Sequence, residues 1–269
     1  MDRRRGGAGR HVEAAAIIAG ARAGIRALDR LPDPCRPVDE AEGYKVQQAV
    51  HEALAGRGWG ALAGYKIGCT TAVMQAHLGL ASPCGGGIFA SRVHHGAADL
   101  AIGDYVRVGA EIEIAVRMGA DLAADDAPFD RDSVALAVDT CMAAMEIVDN
   151  RYVESSRMGT ATLIADDFFG AGCVLGEPVA DWRASDLGAA TGRLMVDGVE
   201  IGRGRGADVM GHPFTALAWL ANSLAARGET LRRGDIVLTG SLVQVHYPAP
   251  GECVEIAIDG LGGVRARFS

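Results

Sequence analysis

The chain has 269 residues, 49% of them hydrophobic and 5% aromatic, with 37 glycines and a formal net charge of −8. That length suits one large domain or a domain with a small helical appendage, and the glycines favour a turn-rich fold over a helical bundle. The acidic balance excludes binding to a phosphate backbone, which needs a basic surface, so no nucleic-acid partner is expected.

Six cysteines, Cys35, Cys69, Cys84, Cys141, Cys173 and Cys253, form no C-x-x-C pair, so neither a zinc site nor a disulfide framework is indicated. Reduced thiols in a cytoplasmic protein fit this pattern. Arg3, Arg4 and Arg5 before an alanine-rich run imitate a secretion signal, but Glu13 and Arg22 bracket too short an apolar stretch. No stretch is long enough to span a membrane.

In chain order, Ile17, Ala21, Ile25 and Leu28 recur at helical spacing and predict an amphipathic helix ending at Leu31, before Pro32, Pro34 and Pro37. Asp39 and Glu42 have the form of a capping box and open a second helix, with Tyr44, Val46, Val50 and Leu54 buried and Gly56 and Gly58 closing it. From residue 61 the texture changes to short alternating runs, and strands are expected at 62–69, 105–116, 145–148, 194–196, 236–239, 254–258 and 264–268. Helices are expected at 133–144 and from Pro213 to a stop at Gly228. Gly202, Gly204, Gly206 and Gly211 lack the G-x-G-x-x-G spacing and read as a glycine-rich turn packed on the sheet. The irregular alternation does not describe a βαβ ladder. The division expected is an N-terminal helical segment, 1–60, and a β-rich domain, 61–269.

Glu111 and Glu113, in Ala110-Glu111-Ile112-Glu113-Ile114, would project from one face of a strand while the isoleucines pack behind it. An amphipathic strand with a solvated face reads the same way, but two carboxylates so close also form half a site for a hard divalent cation. Glu146, in Met145-Glu146-Ile147-Val148-Asp149, adds a third carboxylate among apolar neighbours and favours the metal. Lys66, between Gly64 and Gly68, is either a surface lysine or a cation that holds a substrate carboxylate or moves a proton. His212, before Pro213, suits a structural bond at a helix start, and His94, His95 and His246 show no ligand spacing.

Tyr65-Lys66-Ile67-Gly68-Cys69-Thr70, Glu111-x-Glu113, Met145-Glu146-Ile147-Val148-Asp149, Gly211-His212-Pro213 with Ala218-Trp219-Leu220, and Gly234-Asp235-Ile236-Val237-Leu238-Thr239-Gly240 together resemble the 2-keto-4-pentenoate hydratase family. The resemblance runs from the first helix to Phe268. It implies an α+β fold with the mixed β-roll core of the fumarylacetoacetate hydrolase superfamily and an N-terminal helical segment. It also implies Mg²⁺ or Mn²⁺ held by Glu111, Glu113 and Glu146, with Lys66 beside a bound 2-oxo acid, and a homo-oligomeric assembly.

The chemistry expected from the resemblance is hydration of a small 2-hydroxydienoate or 2-oxo acid through a metal-stabilised enolate. Decarboxylation or keto-enol tautomerisation uses the same electron sink, and hydrolytic C–C cleavage is a further alternative. A non-catalytic partner in a mixed oligomer is another, although a scaffold has no need of a clustered charge trio. Two departures bear on this choice. Beyond Leu78-Gly79 the hydratases usually carry a Gln-Pro-Asp-Phe-Gly type loop, where this chain has Ser82-Pro83-Cys84-Gly85-Gly86, and their Ala-Asp-Asn-Ala-Ser is here Ala165-Asp166-Asp167-Phe168-Phe169. Cys84 replaces an acid, as a reactive thiol or a small buried hydrophobe, and Phe169 replaces a hydroxyl and becomes a pocket wall. Asp166 belongs to the same pocket segment, and Asp149, Asp166 or Asp167 could orient Lys66 or serve a capping role.

Overall fold

The computed structural model describes residues 3–71, 75, 80 and 82–269, so Leu78-Gly79 before the altered loop lies outside the described residues. Two helices come first, α1 (Arg3–Ala23) and α2 (Glu40–Leu54). They are followed by β1 (Leu62–Gly68), β2 (Cys84–Phe89), β3 (Val93–His95), β4 (Ala97–Leu100) and β5 (Val108–Met118). Helix α3 (Arg131–Ala137) leads into β6 (Val138–Asp149), and the short α4 (Thr160–Ala165) precedes β7 (Gly170–Leu175). The remainder is β8 (Thr191–Val196), β9 (Val199–Arg205), α5 (Pro213–Ala225), β10 (Ile236–Ser241), β11 (Cys253–Ile258) and β12 (Gly262–Phe268).

The strands form a seven-stranded sheet ordered β2-β1-β10-β5-β6-β7-β3 and a five-stranded sheet ordered β4-β12-β11-β8-β9. At the centre of the larger sheet, β5 and β6 pair antiparallel from Val108↔Asp149 to Met118↔Val138. Because side chains alternate across a strand, the two faces of this pair have separate fates. Ile112, Ile114, Val116, Met145 and Ile147 point into the main core, where they meet Val254, Ile256 and Phe268 of the second sheet and Leu217, Leu220 and Leu224 of α5. The opposite face carries Ala115, Met142, Ala144, Cys173 and Leu238 in a smaller apolar cluster, and it is the face on which the candidate site stands. Helices α1 and α2 pack on each other through Ala14, Ile18, Ala19, Val46, Val50 and Leu54, and Phe89 of β2 joins that cluster. Among the described residues no helix is long and apolar enough to cross a membrane.

Several expected elements differ from those observed. The first helix ends at Ala23 rather than Leu31, because Ile25 takes a left-handed conformation (φ 51°) after Gly24. Leu28 is then drawn into backbone pairing with the segment at Tyr152, its N–H donating 2.7 Å to the Arg151 carbonyl. The buried stripe of α1 is Ala14, Ala15, Ile18, Ala19, Ala21 and Arg22, whereas Ile25 is exposed. The helix expected at 133–144 stops at Ala137, and the rest belongs to β6. A strand buried on both faces reads as a continuous apolar run, which periodicity cannot separate from a helix. The segment read as a loop at Cys84 is a strand, β2, paired antiparallel with β1 at Gly68↔Cys84 and Lys66↔Gly86. Asp39 caps α2 by accepting from the Glu42 N–H at 2.8 Å, but the Glu42 carboxylate accepts from Val38, so the reciprocal half of the box is displaced by one residue.

Candidate metal centre and its lysine

In the β5–β6 register Glu111 stands directly opposite Glu146, and Glu113 follows two residues along the same face. Like charges placed opposite each other destabilise a sheet unless something positive intervenes. One carboxylate oxygen from each of Glu111, Glu113 and Glu146 lies within 4.8 Å of the others. Glu113 and Glu146 are buried, and Glu111 keeps partial exposure. Burial, with Glu146 beside it, pushes the Glu111 carboxyl up to about 7, and burial together with Glu146 and Glu111 raises Glu113 well above the usual carboxylate range.

The backbone of Gly240 donates to Glu113 Oε2 at 2.7 Å. Gly240 has φ 122°, and a Cβ there would lie 2.4 Å from Thr70 Oγ1, so this donor reaches the carboxylate only because the residue is glycine. Both carboxylate oxygens of Glu146 are buried without a hydrogen-bond partner among the described residues. Lys66 Nζ is 3.0 Å from Glu146 Oε1 as an ion pair. Three convergent carboxylates, two of whose buried oxygens lack donors, match what a hard divalent cation requires.

Lys66 enters from β1 and is itself buried, 3% exposed, while Ile67 beside it joins the main core. Burial alone would lower its ammonium, but Glu146, Glu111 and Glu113 outweigh that and hold it above the ordinary lysine range. Its Nζ donates 2.9 Å to the carbonyl of Phe168 and stands 5.8 Å from the centroid of that ring. The structure therefore brings together Lys66, Glu111, Glu113 and Glu146 from three strands.

Cys84 opens β2 and is buried in an apolar cluster with Tyr152, Leu163, Ile164 and Phe168, against which Cys69 and Phe169 pack. Burial pushes its thiol far above the ordinary cysteine range, so it is neutral and behaves as a small apolar group. Phe169 is partly exposed and edge-stacked on Tyr152, with centroids 6.2 Å apart, and on Phe168, 5.5 Å apart. Asp166 is fully buried and turned onto Arg151, its Oδ2 accepting from Nε at 2.9 Å. Asp149 accepts from the backbone of Val106 and Arg107, and Asp167 pairs with Arg22 and His51. None of these three aspartates is hydrogen-bonded to Lys66 among the described residues. His212 caps α5, its Nδ1 accepting from the Phe214 N–H at 3.1 Å.

Arg22, His51 and Arg151 are the residues that motif reading passed over. Arg22 carried a signal: it falls one helical turn after Ile18, on the buried stripe of α1. An arginine on a buried stripe implies a buried acidic partner. His51 sits one residue after the buried Val50 on α2 and has no comparable mark.

Comparison with known proteins supports the architecture. Residues 89–269 match the fumarylacetoacetate (FAA) hydrolase C-terminal family. A 2-keto-4-pentenoate hydratase from Burkholderia vietnamiensis is 33% identical over 255 residues, covering 95% of this chain and 96% of its own length. A 4-oxalocrotonate decarboxylase from Pseudomonas putida is 30% identical over 230 residues, covering 85% of each chain. The solved structure of 4-oxalocrotonate decarboxylase from a Pseudomonas putida strain, complexed with magnesium and adipate, superposes with a TM-score of 0.90 at 24% identity, covering 100% of this chain and 99% of that one.

Proposed function

The chain belongs to the fumarylacetoacetate hydrolase family, and from that premise we propose that it is a lyase, a divalent-metal-dependent hydratase acting on a small 2-hydroxydienoate or 2-oxo acid. The observation that carries this reading is the carboxylate trio on one face of the β5–β6 pair, with Lys66 beside it and the Glu146 oxygens lacking hydrogen bonds. Glu111, Glu113 and Glu146 would hold Mg²⁺ or Mn²⁺, which supplies a Lewis acid for a 2-oxo oxygen and for the charge that develops on enolisation.

Lys66 has three N–H donors; one is directed to Phe168 and another lies near Glu146, which leaves one to grip a substrate carboxylate or pass a proton. Phe169 and Cys84 form the apolar side of the pocket and keep water from that side. Asp166 supports the wall from behind through Arg151. Homo-oligomeric assembly and a cytoplasmic location belong to the same proposal, and the cysteines, all unpaired, suit a reducing compartment.

One observation favours a second reading within the family. The acid and hydroxyl positions that could activate water are occupied by a neutral buried thiol and a phenyl ring. Decarboxylation and keto-enol tautomerisation need the electron sink and Lys66 but no such activated water. The test is the ultraviolet spectrum of freshly generated 2-hydroxypenta-2,4-dienoate with purified protein and Mg²⁺, followed by product identification. Formation of 4-hydroxy-2-oxopentanoate is the expected result. Conversion only to the conjugated ketone assigns tautomerisation, CO₂ release from a dicarboxylate assigns decarboxylation, and no turnover of either substrate overturns the proposal.

A further inference from the structure

We propose that Asp167 is a positioning residue for Lys66, holding a left-handed turn whose Phe168 carbonyl anchors the lysine ammonium. The proposal rests on Lys66 being the group that meets substrate. Asp167, Phe168 and Phe169 have φ of 53°, 49° and 69°, three consecutive non-glycine residues in the left-handed region. Such a conformation is strained for a residue with a Cβ and persists only where its surroundings over-determine it.

Here the surroundings are explicit. Arg22 of α1 donates to Asp167 Oδ2 at 2.6 Å, while His51 Nε2 and the Gly87 N–H reach Oδ1 at 2.6 and 2.9 Å. Arg22 also donates to the Gly170 carbonyl at 3.2 Å and so grips both ends of the turn. Strand β2 presses close behind: a Cβ on Gly86 would lie 2.7 Å from the Asp167 carbonyl. The product of this grip is one hydrogen bond, 2.9 Å from Lys66 Nζ to the Phe168 carbonyl. Without it the ammonium keeps Glu146, 3.0 Å away, as its nearest remaining partner. The N-terminal helices, remote in sequence from the carboxylates, thereby set the position of the lysine.

Lys45 and Lys66 are the lysines of this chain, and Lys45 is exposed on α2, so a ¹³C,¹⁵N-lysine-labelled protein reports Lys66 beside an internal reference. The experiment compares wild type, Asp167→Asn, Asp167→Ala and His51→Ala, each Mg²⁺-loaded, by the Lys66 resonances and by kcat and KM for the dienoate. Mn²⁺ affinity is read separately by electron paramagnetic resonance. The expected result is a moved Lys66 signal and an unmoved Lys45 signal. With it, kcat falls about 100-fold in Asp167→Ala, roughly tenfold in Asp167→Asn and about threefold in His51→Ala, while KM and Mn²⁺ affinity stay within about threefold. If Asp167→Ala does not fold, the two milder variants decide.

An unmoved Lys66 signal in folded Asp167→Asn and His51→Ala overturns the proposal, as does a Mn²⁺ affinity that falls in step with kcat. If wild type turns over no dienoate, the proposed function fails while the lysine signal still decides this one.

Discussion

Two charged clusters lie close together in this molecule and are built on opposite principles. In the first, Glu111, Glu113 and Glu146 crowd within 4.8 Å with Lys66 as their cation, and Glu146 keeps two oxygens without donors. In the second, Asp166 and Asp167 are met by Arg151, Arg22 and His51 at 2.6–2.9 Å, and charge is balanced within the protein. Balance makes the second cluster a support. Imbalance marks the first as the candidate receptor, because three carboxylates face one lysine and their charge is completed only by protons or an added cation.

The largest expected effect comes from removing charge in the receptor. Glu113→Gln keeps an acceptor for the Gly240 N–H but deletes one of three repelling carboxylates. Activity should fall by about 10³-fold or more, the equivalent of several kcal/mol of Lewis-acid stabilisation. The metal-free variant should nevertheless melt no lower than metal-free wild type, and it should lose the rise in Tm that Mg²⁺ gives wild type. A variant that keeps that rise would show that Glu113 is not a ligand.

Arg22→Met makes the opposite break. It leaves Asp167, fully buried, without its guanidinium partner, and removing one member of a buried pair costs about 3–5 kcal/mol. Urea unfolding should show this loss equally with EDTA and with Mg²⁺. A loss confined to one of the two conditions would mean that metal binding is coupled to the support cluster.

Acidity separates them by sign. Glu111, pushed up to about 7, and Glu113, also raised, bind protons on folding, so metal-free stability should fall as pH rises from about 4.5 through 7. Asp167 is the reverse case: burial would raise it, but His51 and Arg22 hold it well below the usual carboxylate range. Its contribution is complete above about pH 4 and is lost as pH falls further. Metal-free protein should therefore be most stable near pH 5, and Mg²⁺ should move that maximum upward. A melting temperature that rises steadily from pH 5 to 7.5 without metal would contradict the burial of the trio.

The same contrast explains what could be read in the chain. The carboxylates stand at strand spacing among isoleucines, so a period of two exposes them as a shared face, whereas Lys66 reads as a surface lysine by spacing alone, since β1 buries it and Ile67 together. The support cluster joins residues 22, 51 and 87 to Asp167 and residue 151 to Asp166, through five segments that no local pattern links. Nor does composition reveal that Asp167, Phe168 and Phe169 are left-handed, since that is imposed by tertiary partners. Strand β6 was obscured for a related reason: with both faces buried, its apolar run carries no alternation until β5 is placed beside it.

The smallest effect concerns the apolar cluster of Cys84 and Phe169. Cys84 faces an apolar cluster with Phe168 and Phe169, and its thiol is neutral, so neither position now offers water a base or a hydroxyl. Cys84→Asp with Phe169→Ser places an acid and a hydroxyl at these two positions. The pair should raise the hydration-to-tautomerisation ratio by roughly tenfold, below the contribution of about 10²-fold or more that a fully positioned acid–base group makes. Some stability should be lost as well, because Phe169 gives up its contacts with Tyr152 and Phe168. An unchanged product ratio would mean that water in this enzyme is activated from the carboxylate side of the pocket, and that the apolar wall governs only which substrates enter.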